Sequence, residues 1–290
     1  MNTVKAASIL SIQSHVVSGH VGNRSAVFPL ELLGHEVLPL NTVQFSSHTG
    51  KKGWKGTCFS GAHIRDLVDG LDAVQALADC TAVLSGYIGS LDIGLAIINA
   101  VQRIRTYNPA ALYCCDPVMG DHPGGFYVQN ELFDFFRTQA LALADIVTPN
   151  HFEAELLSGL TINTELDASR VADRIHELGP KIILVTSCLS QNSSSLQLLL
   201  SCSEGKFMIE TPLLPFPAPP KGSGDLFSAL FLGHYLHNHN AQEAFEESTN
   251  TVWSILERTL QADRTELMLV QARDLISNPP SRFRRRRIGS

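Results

Sequence analysis

The chain has 290 residues, of which 44% are hydrophobic and 17% charged, and a net charge of -6. That composition supports a substantial core and excludes global disorder, and the acidic balance argues against a nucleic-acid-binding protein. No apolar run reaches the length of a membrane span, and "MNTVKAASILSIQSH" lacks the apolar core and small-residue cleavage site of a signal peptide. The six cysteines form no C-x-x-C pair, which suits free thiols in a reducing cytoplasm.

In chain order, the first expected strand is "ASILSIQS" (7–14). "HEVLPLN" (35–41), "TAVLSGY" (81–87), "ALYCCDP" (111–117), "DIVTPN" (145–150) and "KIILVTS" (181–187) follow. Such short, nearly continuous apolar runs suit strands buried on both faces of a parallel sheet. Helical patterns lie between them at 63–78, 92–107 and 167–178. In the first, Ile64, Leu67, Val68, Leu71, Val74 and Leu77 recur at helical spacing. The alternation predicts an α/β fold, a doubly wound and mainly parallel sheet with right-handed crossovers. Residues 195–211 read as a hairpin turning at "CSEGK", and "TPLLPFPAPP" (211–220) as an irregular connector. Two helices follow, about 225–237 and 241–261. No repeat or linker divides residues 1–280, which read as one domain. Residues 281–290 carry Arg282, Arg284, Arg285, Arg286 and Arg287 and read as a mobile basic tail.

In open parallel sheets, ligands bind beyond the carboxyl ends of the strands. Ser14, Asn41, Ser85, Asp116, Thr148, Asn150, Thr186 and Ser187 end the expected strands and are the first candidates. "KGSGDLFSAL" (221–230) sets Gly222, Ser223, Gly224 and Asp225 before an apolar helix. One reading is a plain helix cap. The other is an anion site at the helix start, with Asp225 taking a proton from a hydroxyl. "CCDPVMGDHPGG" (114–125) ends a buried strand at Asp116 and enters a loop carrying Asp121. "TPNHFEAELLSG" (148–159) sets Asn150 and Glu153 three apart at a helix start, where they are expected to share a solvent-filled pocket. Hard oxygen ligands of this kind suit Mg²⁺ held through waters and phosphates. Capping explains each cluster alone. The three together favour a nucleotide-dependent phosphotransferase, although no Walker A loop occurs.

From about residue 8 to 276, the chain resembles the pyridoxal kinases of the ribokinase superfamily. The resemblance rests on "SIQSHVVSGHVGNRSAVFPLELLG" (11–34), "LNTVQFSSHTG" (40–50) and "WKG" (54–56). It continues through "LSGYIGS", "CDPVMGD", "DIVTPNHFEAELLSG" and "GSGDLFSAL" in the family's order. It implies a ribokinase-like three-layer αβα sandwich and ATP-dependent phosphorylation of the 5′-hydroxymethyl group of pyridoxal, giving pyridoxal 5′-phosphate in vitamin B6 salvage. It also implies ATP as co-substrate, Mg²⁺ as metal, K⁺ as a candidate activator and a homodimer.

By the same resemblance, Ser14, Val21, Phe45, His48, Thr49 and Tyr87 line the substrate pocket. Asp225 is the general base, and the backbone of Gly222, Ser223 and Gly224 is the anion hole. Asp116, Asp121 and Glu153 belong to the metal–phosphate region. Tyr127, Thr148, Asn150, Thr186, Ser187 and Ser223 lie on the nucleotide side, together with Asp116 and Glu153. The chain departs from relatives at Lys51, where an aromatic is common, at Thr186, where many bacterial relatives carry lysine, and on the approach through Lys221. The alternatives are a kinase preferring pyridoxamine, pyridoxine or a hydroxymethylpyrimidine, or a non-catalytic pyridoxal phosphate carrier. The N-terminal block disfavours the pyrimidine, and intact Asp225, Asp116 and Glu153 argue against the carrier.

Overall fold

The computed structural model describes residues 7–121, 124–126, 130–188 and 194–289. The expected apolar runs become β1 (Ser8–Val16), β2 (Glu36–Phe45), β4 (Cys80–Ser85), β5 (Leu112–Cys115), β8 (Ile146–Val147) and β9 (Ile182–Cys188). These six are mutually parallel, so their carboxyl ends share one edge. β3 (Gly56–Cys58) and the hairpin β10 (Ser195–Cys202) and β11 (Gly205–Pro212) add antiparallel edges, and β12 (Arg286–Arg287) closes one of them. The order is β12-β11-β10-β9-β8-β5-β4-β1-β2-β3, and a separate small hairpin pairs β6 (Gly120–Asp121) with β7 (Gly125–Phe126).

Both faces of the sheet are covered. Strand side chains alternate between two cores: Leu10, Ile12, Val83, Ile183 and Val185 into one, Ile9, Ala82, Leu84, Ile182 and Leu184 into the other. That period of two explains why the runs are apolar throughout. The first core is roofed by α2 (Gly61–Ala73), α3 (Leu91–Tyr107), α4 (Asn130–Phe135), a π-helical turn (Phe136–Ala140), α5 (Leu141–Leu143), α6 (His151–Ser158) and α7 (Glu165–His176). The second is covered by α1 (Asn23–Leu32), α8 (Ser223–Asn238) and α9 (Ala241–Gln261). A third cluster, with Leu267, Leu269 and, from α10 (Arg273–Ser277), Ile276, packs on Leu226 and Leu230 of α8. α8 is therefore buried on all sides from Leu226 to His234. The helix expected over 63–78 ends at Ala73, before Gln75 with φ 63°, and Leu67 and Val74 of its apolar pattern are exposed.

The arginine run is laid against the body rather than extended as the free tail expected from its charge. Arg286 and Arg287 pair with β11, and Ile288 joins the first core. Arg282 meets Glu257 at 2.5 Å, Arg285 meets Glu246 at 2.9 Å, and Arg286 meets Glu165. The buried Asn250 accepts the backbone N–H groups of Arg282 and Phe283, each at 2.8 Å, and donates to the Phe283 carbonyl at 3.0 Å. Acidic partners had no signal in the sequence because they come from distant helices. Asn250→Ala removes the clamp, and trypsin is expected to cut the arginine run about tenfold faster with the remaining body intact. An unchanged rate contradicts that role for Asn250.

Candidate active site

The site is built where the N-terminal block meets the start of α8. Ser14 sits at an irregularity of the β1–β2 pairing, where Thr42 and Val43 together oppose it. Such a bulge re-aims a side chain at a strand end. The chain then turns through Gly22 (φ 55°), where a Cβ would lie 2.1 Å from the Ser14 carbonyl oxygen. Asn23 fixes this turn. Its Oδ1 accepts from Ser11 Oγ at 2.7 Å, and its Nδ2 donates to the Leu40 carbonyl at 3.1 Å and to Asn41 Oδ1 at 2.8 Å.

The start of α8 is locked onto that turn. Gly222 has φ 92°, and a Cβ there would lie 1.8 Å from the His20 carbonyl oxygen. Its own carbonyl accepts from Ser25 Oγ at 2.9 Å. The first intrahelical bond runs from the Leu226 N–H to Gly222 at 3.0 Å, so the N–H groups of Ser223, Gly224 and Asp225 precede the ladder. The N-cap residue, Gly222, has no side chain to cap them. The nearby Gly22 N–H favours the ionised Asp225 carboxyl, yet burial dominates and pushes it up to about 6.

Val21, Phe45 and Tyr87 form one apolar cluster with Val16 and Val43. Trp54 lies over Phe45 with ring centroids 4.7 Å apart, and Thr42 Oγ1 donates to the Tyr87 carbonyl at 2.8 Å. His48 is half-buried beside them in sequence, in the loop after β2. Burial lowers its pKa, Glu266 opposes that, and Lys51 and Lys221 add to it. Thr49 is exposed in the same loop, and Ser14 is half-buried.

Across the strand ends, Asp116 feels the charges of two other carboxylates, Glu153 and Asp225. Asp116 is 5% exposed and Glu153 2%. Burial holds the Asp116 carboxyl well above the usual range, helped by the charges of Glu153 and Asp225, and Ser228 opposes the rise. Burial also raises Glu153, against three backbone N–H groups. Those are Met119 at 2.9 Å and Gly120 at 3.4 Å on Oε1, and Asn150 at 2.9 Å on Oε2. Asn150 Oδ1 accepts the Glu153 N–H at 3.0 Å, completing a capping box, and its Nδ2 donates to the Gly120 carbonyl at 2.8 Å. Asn150 and Glu153 thus do not share the solvent-filled pocket expected for them. They cap α6 and staple the β6–β7 hairpin, because a buried carboxylate in reach of backbone donors takes them.

Asp121 instead pairs with Lys221 at 2.7 Å, tying that hairpin to the glycine loop. Among the described residues, no group of three or more His, Cys, Asp or Glu side chains is arranged to hold a metal ion directly. Thr148 is buried and shares a 2.8 Å hydrogen bond with Ser228, whose Oγ lies 3.2 Å from Asp116 Oδ2 and 3.0 Å from the Gly224 carbonyl. Thr186 donates its N–H to the Pro149 carbonyl at 3.0 Å, and Ser187 Oγ accepts the His151 N–H at 3.3 Å. Both are half-buried near the start of α6. Tyr127 lies outside the described residues.

Sequence reading missed Ser228, Asn23 and Glu266. Ser228 had a signal, a hydroxyl inside the apolar run "DLFSALFL"; the other two had none until the fold brought their partners close.

The sheet and its site define a class: residues 65–269 match the family model described as phosphomethylpyrimidine kinase. Within that class the chain belongs to the pyridoxal kinase family. It is 43% identical to a pyridoxal kinase of Rubrobacter xylanophilus, covering 97% of each chain. It is 45% identical to one of Granulibacter bethesdensis, covering 95% of this chain and 98% of that one. Among solved structures it is similar to pyridoxal kinase from Leishmania donovani in complex with ADP and pyridoxine. That match has a TM-score of 0.89 and 29% identity, and covers 97% of this chain and 99% of that one.

Proposed function

We propose that the chain phosphorylates the 5′-hydroxymethyl group of pyridoxal with ATP, giving pyridoxal 5′-phosphate. One observation carries this reading: base and pocket meet at adjacent residues. Val21 belongs to the apolar wall, and the N–H of its neighbour Gly22 lies beside the Asp225 carboxyl and favours its ionised form. A flat ring lying on Val21, Phe45 and Tyr87 brings its hydroxymethyl group to Asp225. The relatives that bind such rings support this, since the Leishmania donovani kinase is seen with ADP and pyridoxine.

In this reading Asp225 accepts the hydroxyl proton as the oxygen attacks the γ-phosphorus. The N–H groups of Gly222, Ser223 and Gly224 receive the charge that develops on the transferring group. Ser14 hydrogen-bonds the pyridine ring, with His48 and Thr49 on the loop above. Thr148, Thr186 and Ser187 border the nucleotide, Thr148 by way of Ser228. Mg²⁺ fits the site: burial raises the carboxyls of both Asp116 and Glu153, the Glu153 charge raises Asp116 further, and a cation between them would relieve this, their oxygens being the donors it prefers. Asp116 would hold it directly, and Glu153 through water because its oxygens already accept three N–H groups. When bound, Mg²⁺ neutralises phosphate charge. The free thiols, four of them buried, accord with a cytoplasmic setting, and a homodimer is the proposed assembly.

A kinetic panel of pyridoxal, pyridoxine, pyridoxamine and hydroxymethylpyrimidine, with ATP, Mg²⁺ and either K⁺ or Na⁺, tests the reading. Pyridoxal is expected to give the highest kcat/KM; preference for the pyrimidine overturns the assignment. The pH profile adds a second check. The base must be ionised, so kcat/KM falls as pH drops through about 6, the value to which burial raises Asp225. A flat profile between pH 5 and 8 rules out that role.

A further inference from the structure

Glu266 lies far from every sequence motif, on the segment between α9 and α10. Its neighbour Leu267 is buried in the cluster that contains Leu226 and Leu230 of α8, and the Met268 N–H bonds Thr259 Oγ1 at 3.2 Å. The carboxylate therefore stands on a rigid base, the same helix that presents Asp225. It reaches three places at the rim of the pocket. It is ion-paired with Lys51, with side-chain exposures of 25% for Glu266 and 40% for Lys51. It covers Gly19, where a Cβ would lie 2.7 Å from Oε2. Its charge also acts on His20 and His48.

Lys51 is the tip of a loop closed at its base. The Ser46 N–H donates to the Lys55 carbonyl at 2.7 Å, and the Lys55 N–H to Ser46 Oγ at 2.9 Å. Inside it, the Lys51 N–H bonds the His48 carbonyl at 3.0 Å, and Trp54 rests on Phe45. The base of the loop is thus fixed by hydrogen bonds between Ser46 and Lys55, and its tip by the charge pair to a segment 215 residues away. A partly buried pair on a rigid base holds a loop better than a fully exposed one, which salt and side-chain entropy weaken.

We propose that Glu266 is a positioning residue: through Lys51 it holds the 46–54 loop over the apolar pocket and so sets the affinity for the B6 vitamer, without touching the reacting atoms. This rests on the assignment of that pocket to pyridoxal. The geometry separates the pair from the chemistry. The Gly22 N–H beside Asp225 and the Ser25 Oγ bond to the Gly222 carbonyl involve neither Lys51 nor Glu266, so losing the ion pair leaves both in place.

The test uses Glu266→Gln, Lys51→Met and the double variant in the full chain. Each single change is expected to raise KM for pyridoxal about tenfold while kcat stays within about twofold and KM for ATP is unchanged. The double variant is expected to be no worse than either single change, because one interaction is lost in all three. A second readout needs no turnover. The sequence has two tryptophans, so Trp253→Phe leaves Trp54 as sole reporter on the loop. Acrylamide quenching of Trp54 is expected to rise about twofold in the single variants. The charge-reversed pair Lys51→Glu with Glu266→Lys is expected to restore both readouts, which a general folding defect cannot do. Unchanged KM and quenching in Glu266→Gln, or additive losses in the double variant, overturn the proposal. Absence of pyridoxal turnover in the parent chain, with the quenching response intact, sinks the substrate assignment alone and supports the clasp.

Discussion

Asp225→Asn is expected to lower kcat by about 10²–10⁴ while ATP binding and folding persist. The change keeps the shape of the side chain and removes its ability to take a proton. The same variant has a stability signature with the opposite sign. Burial raises the Asp225 carboxyl from 3.8 to about 6, so between those values the folded ligand-free chain binds more protons than the unfolded one. Stability from this group is then present at low pH and lost as pH rises through about 6, by at most about 3 kcal/mol. The asparagine variant has no such loss and is expected to unfold at higher denaturant than the parent at pH 8, with the difference vanishing near pH 4. A parent that is the more stable at pH 8 contradicts the raised carboxyl.

Gly222→Ala is expected to be the most damaging single methyl group in the site. The residue adopts φ 92°, where an L side chain is strained, and its Cβ would stand 1.8 Å from the backbone oxygen of His20. Neither partner yields cheaply, because both are main chain on packed elements. The turn before α8 must open, which costs several kcal/mol and shifts the proposed anion site by a fraction of an ångström or more. Loss of kcat/KM by at least about 10² with a markedly lower Tm is the expected result. Gly224→Ala is the control: nothing lies within 4 Å of its added Cβ, so its Tm stays close to the parent's. Equal Tm values for the two variants contradict the account.

The parallel strands were readable because burial on two faces leaves a one-dimensional trace, an unbroken apolar run. α9 was readable for the opposite reason, a regular apolar stripe over 241–261 that matches the observed span. α1 left no such trace. It carries Pro29 in its interior, and its apolar residues serve two clusters, Ala26 and Leu30 facing one and Phe28 and Leu32 another. In the site, "GSGD" was legible as a helix start, and the structure gives its glycine a definite cause in the His20 carbonyl. Glu153 was legible as a polar residue near a strand end, but not as a staple for the β6–β7 hairpin, since its donors Met119 and Gly120 lie more than thirty residues away. Lys51 read as a departure from relatives without a reason. Glu266, which pairs with it, became visible only when the chain folded.

The central claim is that Asp225, beside the uncapped start of α8, directs the γ-phosphoryl group of ATP to the 5′-hydroxymethyl oxygen of pyridoxal. Phosphorus NMR of a reaction with ATP, Mg²⁺ and pyridoxal tests it most directly, run in parallel with the Asp225→Asn variant. One phosphate monoester on the 5′ oxygen is expected for each ADP formed by the parent, and neither product at a comparable rate from the variant. ADP with free phosphate and no monoester, or a monoester formed equally fast by the variant, contradicts it.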